Sequence, residues 1–192
     1  VSANEREAAG GAVLDSVRPP RLTLIADAAM TAALLALLRP LLPASCLGGQ
    51  LRGLNCRWRI YRYLPPGDAF RPHLDDAYNE SVLLGDRLTT SPSVRSCASL
   101  LLYLTGGLVG GETRFWVPTA DCQDFDFRQV TPATGAALFF FHGEHPLSLV
   151  HEGMPLKSGA KYVLRTDVLY EEGQGAEAAL AEARRWPHVA AG

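Results

Sequence analysis

Short segments rich in β-forming residues, separated by glycine and proline turns, constrain the fold of this 192-residue chain more than any other feature. Some of them alternate polar and apolar residues, and others are apolar runs too short for a buried helix. Many short strands with few helices predict an antiparallel barrel or sandwich. The segments are CRWRIYRYL (56–64), ASLLLYLT (98–105), ETRFWV (112–117), GAALFFF (135–141), SLVHEG (148–153) and KYVLRTDVLY (161–170).

Two helices are expected to flank these strands. Residues 28–38 form an apolar helical segment that Asp27 can cap, and a second, amphipathic helix is predicted over 176–186, before Pro187. The first helix should pack on a sheet, because four of its residues form one stripe. These residues are Thr31, Leu34, Leu35 and Leu38. The expected fold class is therefore mainly β with flanking helices (α+β).

The composition is that of one globular domain, with 47% hydrophobic and 20% charged residues. Residues 1–20 are expected to be a flexible N-terminal segment, and residues 21–192 a single domain with its core at about 55–170. Two stretches with turn-forming residues, 43–53 and 81–97, are predicted to be loops. The second is long enough to be a mobile cover over an active site.

Charge and hydropathy exclude several classes of partner. The net charge is -2 and no basic block is present, so nucleic acid is not an expected partner. The most apolar run, 28–38, is too short to span a bilayer, and no targeting segment is visible. A soluble protein is expected, in a compartment that the sequence leaves open. The cysteines show no C-x-x-C spacing, which favours ordinary thiols over a zinc site.

Three residues could form one metal site. His73 and Asp75 are separated by one residue, so on a strand their side chains point to the same face. His151 could supply a third ligand from the end of a later strand. Two histidines and one carboxylate are the facial triad of non-haem Fe(II) oxygenases, which leave coordination positions open. His142 and His145 could also bind metal from a helix, although their neighbours favour a loop.

A buried pair of cations is predicted ten residues after His151. Lys161 and Arg165 share one face of a strand with Val163, whereas Tyr162 and Leu164 share the other. Cations on an otherwise apolar strand are costly unless an anion meets them. An open metal beside such a cation is typical of a site for an anionic, bidentate cosubstrate.

Over residues 25–170 the chain resembles the prolyl-4-hydroxylase-like branch of the 2-oxoglutarate/Fe(II)-dependent oxygenases. The resemblance implies a double-stranded β-helix core, the jelly-roll also found in cupins. It is carried by YRYLPPGDAFRPHLD (61–75), LLYLTGGLVGGETRFW (101–116) and the closing strands of 135–170.

The resemblance also assigns roles to single residues. His73, Asp75 and His151 match the iron ligands, and Lys161 matches the residue that pairs with the far carboxylate of 2-oxoglutarate. Tyr103 and Tyr63 match tyrosines that face the cosubstrate, and Arg165 is a second cation that could contribute to the anchor. Phe70 departs from the pattern, because many relatives have a tyrosine three residues before the first histidine.

The implied reaction is hydroxylation of a C–H bond, in a prolyl or other side chain of a protein or peptide, with release of succinate and CO2. It would require Fe(II), 2-oxoglutarate and O2, with ascorbate as reductant. Arg59 and Tyr61, which alternate with Tyr63 on one strand, could contact the substrate or form a polar rim of the barrel. The alternatives are the same chemistry on a small molecule, or a cupin-like barrel that binds metal or ligand without turnover.

Overall fold

A computed structural model describes residues 21–25, 28–85, 87–119, 121, 123–173 and 181. The expectations for residues 1–20, for Asp27 as a helix cap and, apart from residue 181, for a helix over 176–186 concern positions outside this description. Among the described helices, none is both long and apolar enough to cross a membrane.

The described chain is mostly β, which confirms the predicted fold class. The α-helix α1 spans Ala28–Leu38 and runs into a short 3-10 helix, Arg39–Leu41. The strands are β1 Arg21–Ile25, β2 Ser45–Cys46, β3 Gly49–Leu54, β4 Arg57–Tyr63, β5 Phe70–His73, β6 Asn79–Leu84, β7 Arg87–Tyr103, β8 Val109–Gly110, β9 Thr113–Pro118, β10 Phe125–Val130, β11 Ala137–Phe141, β12 His151–Gly153, β13 Leu156–Ser158 and β14 Lys161–Glu171. The predicted strands correspond to β4, the second half of β7, β9, β11, β12 and β14.

The larger sheet is organised around β14. Strand β7 pairs along β14, while β4 and then β3 also pair with it. Strand β1 extends the sheet beyond β4, and β2 extends it beyond β3. Strands β6 and β11 pair with successive parts of β7. All of these pairings are antiparallel, as expected for a jelly-roll built from hairpins and meanders.

A smaller antiparallel sheet has the strand order β10-β9-β12-β5. In its register His151 of β12 lies opposite His73 of β5. In the larger sheet Val163 of β14 lies between Tyr61 of β4 and Tyr103 of β7, so these three side chains share a face. The smaller sheet thus contributes the two predicted histidine ligands. The larger sheet contributes the predicted cosubstrate residues.

The main hydrophobic core includes residues from the opposite face of the larger sheet. It contains the fully buried Trp58 and Val168. Residues Leu34, Leu35 and Leu38 of α1 pack against this core, and the prediction that this helix packs on a sheet is confirmed. Burial of a side chain such as Leu contributes about 1.5–3 kcal/mol.

Both segments predicted to be loops were assigned wrongly. Residues 81–97 belong to the hairpin of β6 and β7, which turns at Gly85 with φ of 63°. Pro92 is tolerated in β7 because the pairing is irregular there: Glu80 is opposite Ser91, but Asn79 is opposite Arg95. An unstructured cover of this length is therefore absent from the described chain.

The stretch 43–53 contains β2 and β3. Its glycines suggested a loop, but Gly49 instead allows a close approach between chains. A Cβ atom at Gly49 would clash with the backbone oxygen of Glu171, at the end of β14. Glycine in a strand often marks such an approach.

Candidate metal centre and adjoining pocket

The three predicted ligands come together at the edge of the smaller sheet. His73 ends β5, Asp75 follows it in the chain, and His151 begins β12 directly opposite His73. One ligand atom from each residue lies within 4.8 Å of the other two, and the two imidazole centroids are 4.4 Å apart. Among the described residues, this is the group of three that could hold a metal ion.

Backbone carbonyls fix the orientation of both imidazoles. Nδ1 of His73 lies 2.7 Å from the carbonyl oxygen of Arg71, and Nδ1 of His151 lies 3.2 Å from that of Leu149. Each Nδ1 therefore carries the proton in the neutral ring, which leaves the Nε2 lone pair free. Both Nε2 atoms lie 3.5 Å from the carboxylate of Asp75. Two neutral nitrogens and one carboxylate fit the Fe(II) facial triad.

The Asp75 carboxylate is buried and ionised. Oδ1 accepts a hydrogen bond from Nη1 of Arg165 at 2.7 Å, and Oδ2 accepts one from the Ser99 hydroxyl at 2.6 Å. Burial raises the pKa of Asp75, but the charge of Arg165 and the contacts with His151 and His73 outweigh it and hold the pKa well below its usual range. The ligand is thus available as an anion at neutral pH, which metal binding requires.

Arg165 belongs to a buried network of charges. Its second Nη lies 3.4 Å from Asp167, which also pairs with Arg59 at 3.3 Å. Two guanidinium groups therefore balance the carboxylates of Asp75 and Asp167. Arg165 lines the pocket, but its charge is already directed at these carboxylates. Its expected part in binding 2-oxoglutarate stays a prediction.

Lys161 differs from Arg165 because its ammonium group has little compensation. The residue is 1% exposed, and Nζ donates a hydrogen bond to the carbonyl of Gly111 at 2.5 Å. No carboxylate in the described part of the chain forms an ion pair with it. Burial lowers the pKa of Lys161 to about 8, although Glu112 opposes this shift.

Two tyrosine rings surround the Lys161 ammonium group. Nζ lies 4.6 Å from the ring centroid of Tyr63 and 5.8 Å from that of Tyr103. Burial raises the pKa of both phenols, so both keep their protons. The Tyr103 hydroxyl shares a 2.7 Å hydrogen bond with Thr113, a residue that the sequence interpretation did not single out.

One pocket joins the ligands to Lys161, and its volume of about 410 Å³ includes space that is open to solvent. Its polar lining includes all three ligands, Thr113 and both cations of β14, and its apolar lining includes Leu101, Val163 and Phe70. Phe70 stacks on the imidazole of His73 with a centroid distance of 4.0 Å, which explains how an apolar ring is used at this position. His73 is the most accessible ligand, with its side chain 22% exposed.

Of the other candidate residues, some line the pocket and others do not. Tyr61 lines it, whereas the side chain of Arg59 is buried against Asp167 and over the ring of Tyr78. His142 and His145 lie in the turns after β11, as expected from the sequence, and are not part of the metal cluster.

His142 nevertheless reaches the site indirectly, because its Nδ1 lies 3.0 Å from the hydroxyl of Ser99. Sequence reasoning missed both Ser99 and this role of His142. The available signal was the period of two in ASLLLYLT, which places Ser99 on the same face of β7 as Leu101 and Tyr103.

Comparison with solved structures shows the same fold in prolyl hydroxylases. A viral collagen prolyl hydroxylase from Paramecium Bursaria Chlorella virus-1 is 19% identical, with a TM-score of 0.51 over 81% of this chain and 80% of that chain. A prolyl hydroxylase from Trichoplax adhaerens, in complex with a hypoxia inducible factor oxygen degradation domain peptide fragment, is 12% identical. Its TM-score is 0.55 over 88% of this chain and 69% of that chain.

Comparison with curated protein sequences gives no significant match. The family model of the 2OG-Fe(II) oxygenase superfamily, in contrast, matches residues 58–166, which is more than half of the chain and includes the three metal ligands, Lys161 and Arg165. The chain belongs to the 2OG-Fe(II) oxygenase superfamily.

Proposed function

We propose that the protein is an Fe(II)- and 2-oxoglutarate-dependent dioxygenase that hydroxylates a prolyl or other side chain of a protein or peptide. Succinate and CO2 are the coproducts, and ascorbate is the reductant that keeps the metal in its ferrous state. The observation that carries this proposal is the position of Lys161, a buried cation that forms no ion pair with any described carboxylate, in the pocket that also contains the His73–Asp75–His151 cluster.

A dicarboxylate accounts for this arrangement. A buried ammonium group is costly unless an anion pairs with it. The far carboxylate of 2-oxoglutarate supplies that anion, and the hydroxyls of Tyr63 and Tyr103 can donate hydrogen bonds to the same group. The near carboxylate and the keto oxygen then extend toward the metal ligands.

Each protein group has a separate task in this proposal. His73 and His151 present Nε2 lone pairs, and Asp75 supplies the anionic oxygen, so these three would hold Fe(II). The metal, when bound, supplies the redox chemistry with O2. Lys161 orients the cosubstrate, and the apolar side chains of Leu101 and Val163 exclude water from it.

The substrate should enter beside His73, the most accessible ligand. Tyr61 lines the pocket, and Tyr78, on which Arg59 stacks, is partly exposed. We place the peptide side chain against these residues. The peptide class is supported by the names of two similar structures, a viral collagen prolyl hydroxylase and a prolyl hydroxylase in complex with a peptide fragment.

Succinate formation tests this proposal. The protein would be loaded with Fe(II) without oxygen, then mixed with 2-oxoglutarate, ascorbate, O2 and a library of proline-containing peptides. We expect succinate in amounts equal to a peptide product that has gained one oxygen atom. His73→Ala is the control, and it should give neither product.

The alternatives have different outcomes in the same assay. Succinate formation that a small molecule stimulates, but no peptide does, would reject the peptide substrate and keep the dioxygenase. Tight binding of Mn(II) and 2-oxoglutarate without any succinate would favour a barrel that binds ligands without turnover.

A further inference from the structure

A chain of hydrogen bonds continues from Asp75 into the interior, away from the pocket. Ser99 Oγ donates to Asp75 Oδ2 at 2.6 Å and lies 3.0 Å from Nδ1 of His142. Nε2 of His142 lies 2.9 Å from Oγ of Ser96, which accepts a hydrogen bond from the backbone N–H of Tyr78 at 2.8 Å. All four side chains in this series of hydrogen bonds are buried: Asp75, Ser99, His142 and Ser96.

The direction of every hydrogen bond in this series follows from the number of polar protons that each side chain carries. An ionised carboxylate only accepts, so the single hydroxyl proton of Ser99 points to Asp75. Ser99 must then accept from His142, which requires the proton on Nδ1. The neutral ring leaves Nε2 as an acceptor, and Ser96 donates its own hydroxyl proton to it. The backbone N–H of Tyr78 completes the series.

His142 is suited to this neutral form. Burial lowers its pKa, although Asp167 and Asp75 oppose the shift. A doubly protonated ring would put two donors in the chain, and Ser96 would then lose its acceptor.

Asp75 needs such support because it lies outside the regular strands. Strand β5 ends at His73, so sheet pairing does not fix the carboxylate. The backbone carbonyl of Asp75 accepts a hydrogen bond from the N–H of Gly143 at 2.9 Å, but the carboxylate itself is oriented by side chains: Arg165 holds Oδ1, and Ser99 holds Oδ2. A free serine hydroxyl can rotate among several acceptors, whereas a serine that accepts from a fixed imidazole has its proton directed at Asp75.

We propose that His142 is a positioning residue for the metal centre, which acts through Ser99 to orient the Asp75 carboxylate toward the metal. The inference rests on the proposed metal site. Partners behind metal ligands typically change metal affinity 10–100-fold when they are removed. We therefore expect Ser99→Ala to weaken Mn(II) binding by about 10–100-fold, and His142→Phe by about 10-fold.

The decisive experiment combines these two substitutions. Mn(II) affinity would be measured by calorimetric titration of the wild type, Ser99→Ala, His142→Phe and the double variant, all checked for folding by circular dichroism. If His142 acts through Ser99, the double variant should bind Mn(II) no more weakly than Ser99→Ala alone. His142→Asn should recover affinity, because its amide N–H can replace Nδ1–H as the donor to Ser99.

His145 provides a matched control. It is also buried after β11, stacks on Phe141 at 3.7 Å and accepts a hydrogen bond from the backbone N–H of Leu147. It is not a member of the chain that ends at Asp75, so His145→Phe should lower stability without changing the Mn(II) dissociation constant.

The possible results distinguish the proposed His142–Ser99–Asp75 relay from the metal site itself. If the wild type binds Mn(II) and His142→Phe binds it equally well, the relay is rejected while the metal site stands. The relay would also be rejected if the losses in Mn(II) binding free energy of Ser99→Ala and His142→Phe add in full in the double variant, because the two residues would then act independently. A wild type that binds no Mn(II) would overturn both the metal site and the relay.

Discussion

Nη1 of Arg165 lies 2.7 Å from Oδ1 of Asp75, so a predicted anchor for the cosubstrate is in direct contact with a predicted metal ligand. Arg165 also contacts Asp167, which pairs with Arg59, so two guanidinium groups together neutralise two carboxylates that are almost inaccessible to water. Lys161 lies four residues earlier on the same face of β14, and no carboxylate among the described residues forms an ion pair with it. The two cations of one strand therefore have different electrostatic environments.

Replacing Arg165 should destabilise the metal-free protein. Removal of one partner from a buried ion pair typically costs about 3–5 kcal/mol, because the remaining charge is left uncompensated. We expect Arg165→Met to lower the free energy of unfolding by this amount in urea titrations at pH 7. Mn(II) should then stabilise the variant more than the wild type, because the metal supplies the missing positive charge beside Asp75.

Arg128→Met is a suitable control for this measurement, because Arg128 forms an exposed pair with Asp126 on β10. Such surface substitutions usually change stability by less than about 0.5 kcal/mol. Equal stabilisation of wild type and Arg165→Met by saturating Mn(II) would contradict the proposed compensation.

The histidine ligands can be tested by metal binding alone. His73→Ala and His151→Ala should each abolish stoichiometric binding of Mn(II), an oxygen-stable substitute for Fe(II), because two ligands remain in each variant. Calorimetric titration measures this directly, and circular dichroism reports whether the fold is kept. His145→Ala should bind Mn(II) normally, and undiminished binding in either ligand variant would disprove the triad.

Lys161 should control cosubstrate affinity and leave metal affinity unchanged. Loss of one partner from a desolvated charge pair costs about 2–5 kcal/mol. Lys161→Ala should therefore weaken 2-oxoglutarate binding by roughly 30-fold or more, at about 1.4 kcal/mol per factor of ten. Titration of the Mn(II)-loaded protein with 2-oxoglutarate measures this loss. The anchor would be misassigned if Arg165→Ala, compared among folded variants, weakened 2-oxoglutarate far more.

The affinity for 2-oxoglutarate should fall as the pH rises above 8. Burial lowers the pKa of Lys161 in the free protein to about 8, so its amino group is mostly charged at pH 7 and loses its positive charge as the pH rises through this value. The cosubstrate carboxylates stay ionised over this range. Binding above pH 8 must therefore take up a proton, which weakens it by up to about tenfold per pH unit.

Titrations of the Mn(II)-loaded protein at pH 7, 8 and 9 would show this dependence. Lys161→Ala serves as the control, because its weaker binding should be nearly independent of pH. A wild-type dissociation constant that does not change between pH 7 and pH 9 would show that another group supplies the charge.

The sequence predicted those parts of the site that depend on strand periodicity. The inward face of β14, with Lys161, Val163 and Arg165 buried, follows from alternation alone. The grouping of His73 and Asp75 was also predicted, although Asp75 lies beyond the end of its strand. The role of Arg165 could not be predicted, because the pairing partner of a buried charge depends on contacts between distant segments.

Local signals failed where tertiary contacts dominate. Gly49 and Pro92 suggested loops, but Gly49 marks a close approach of two chain segments and Pro92 lies at an irregularity in the β6–β7 pairing. His142 was correctly placed in a turn, yet its link to Asp75 passes through Ser99, which lies 43 residues before it in the chain. No short-range pattern contains such a relationship.

An insertion within strand β14 should disrupt the site as severely as a substitution of its charged residues. Lys161, Arg165 and Asp167 occupy alternate positions of one continuous strand, and that strand pairs with β4, β3 and β7. A single inserted residue before Lys161 could be absorbed in the turn at Gly159, which has φ of 91°. One inserted between Lys161 and Arg165 would turn either the lysine or the arginine to the opposite side of the sheet. The spacing within β14 therefore matters as much as residue identity, because it sets the distance between Lys161, the proposed cosubstrate anchor, and Arg165, the partner of Asp75.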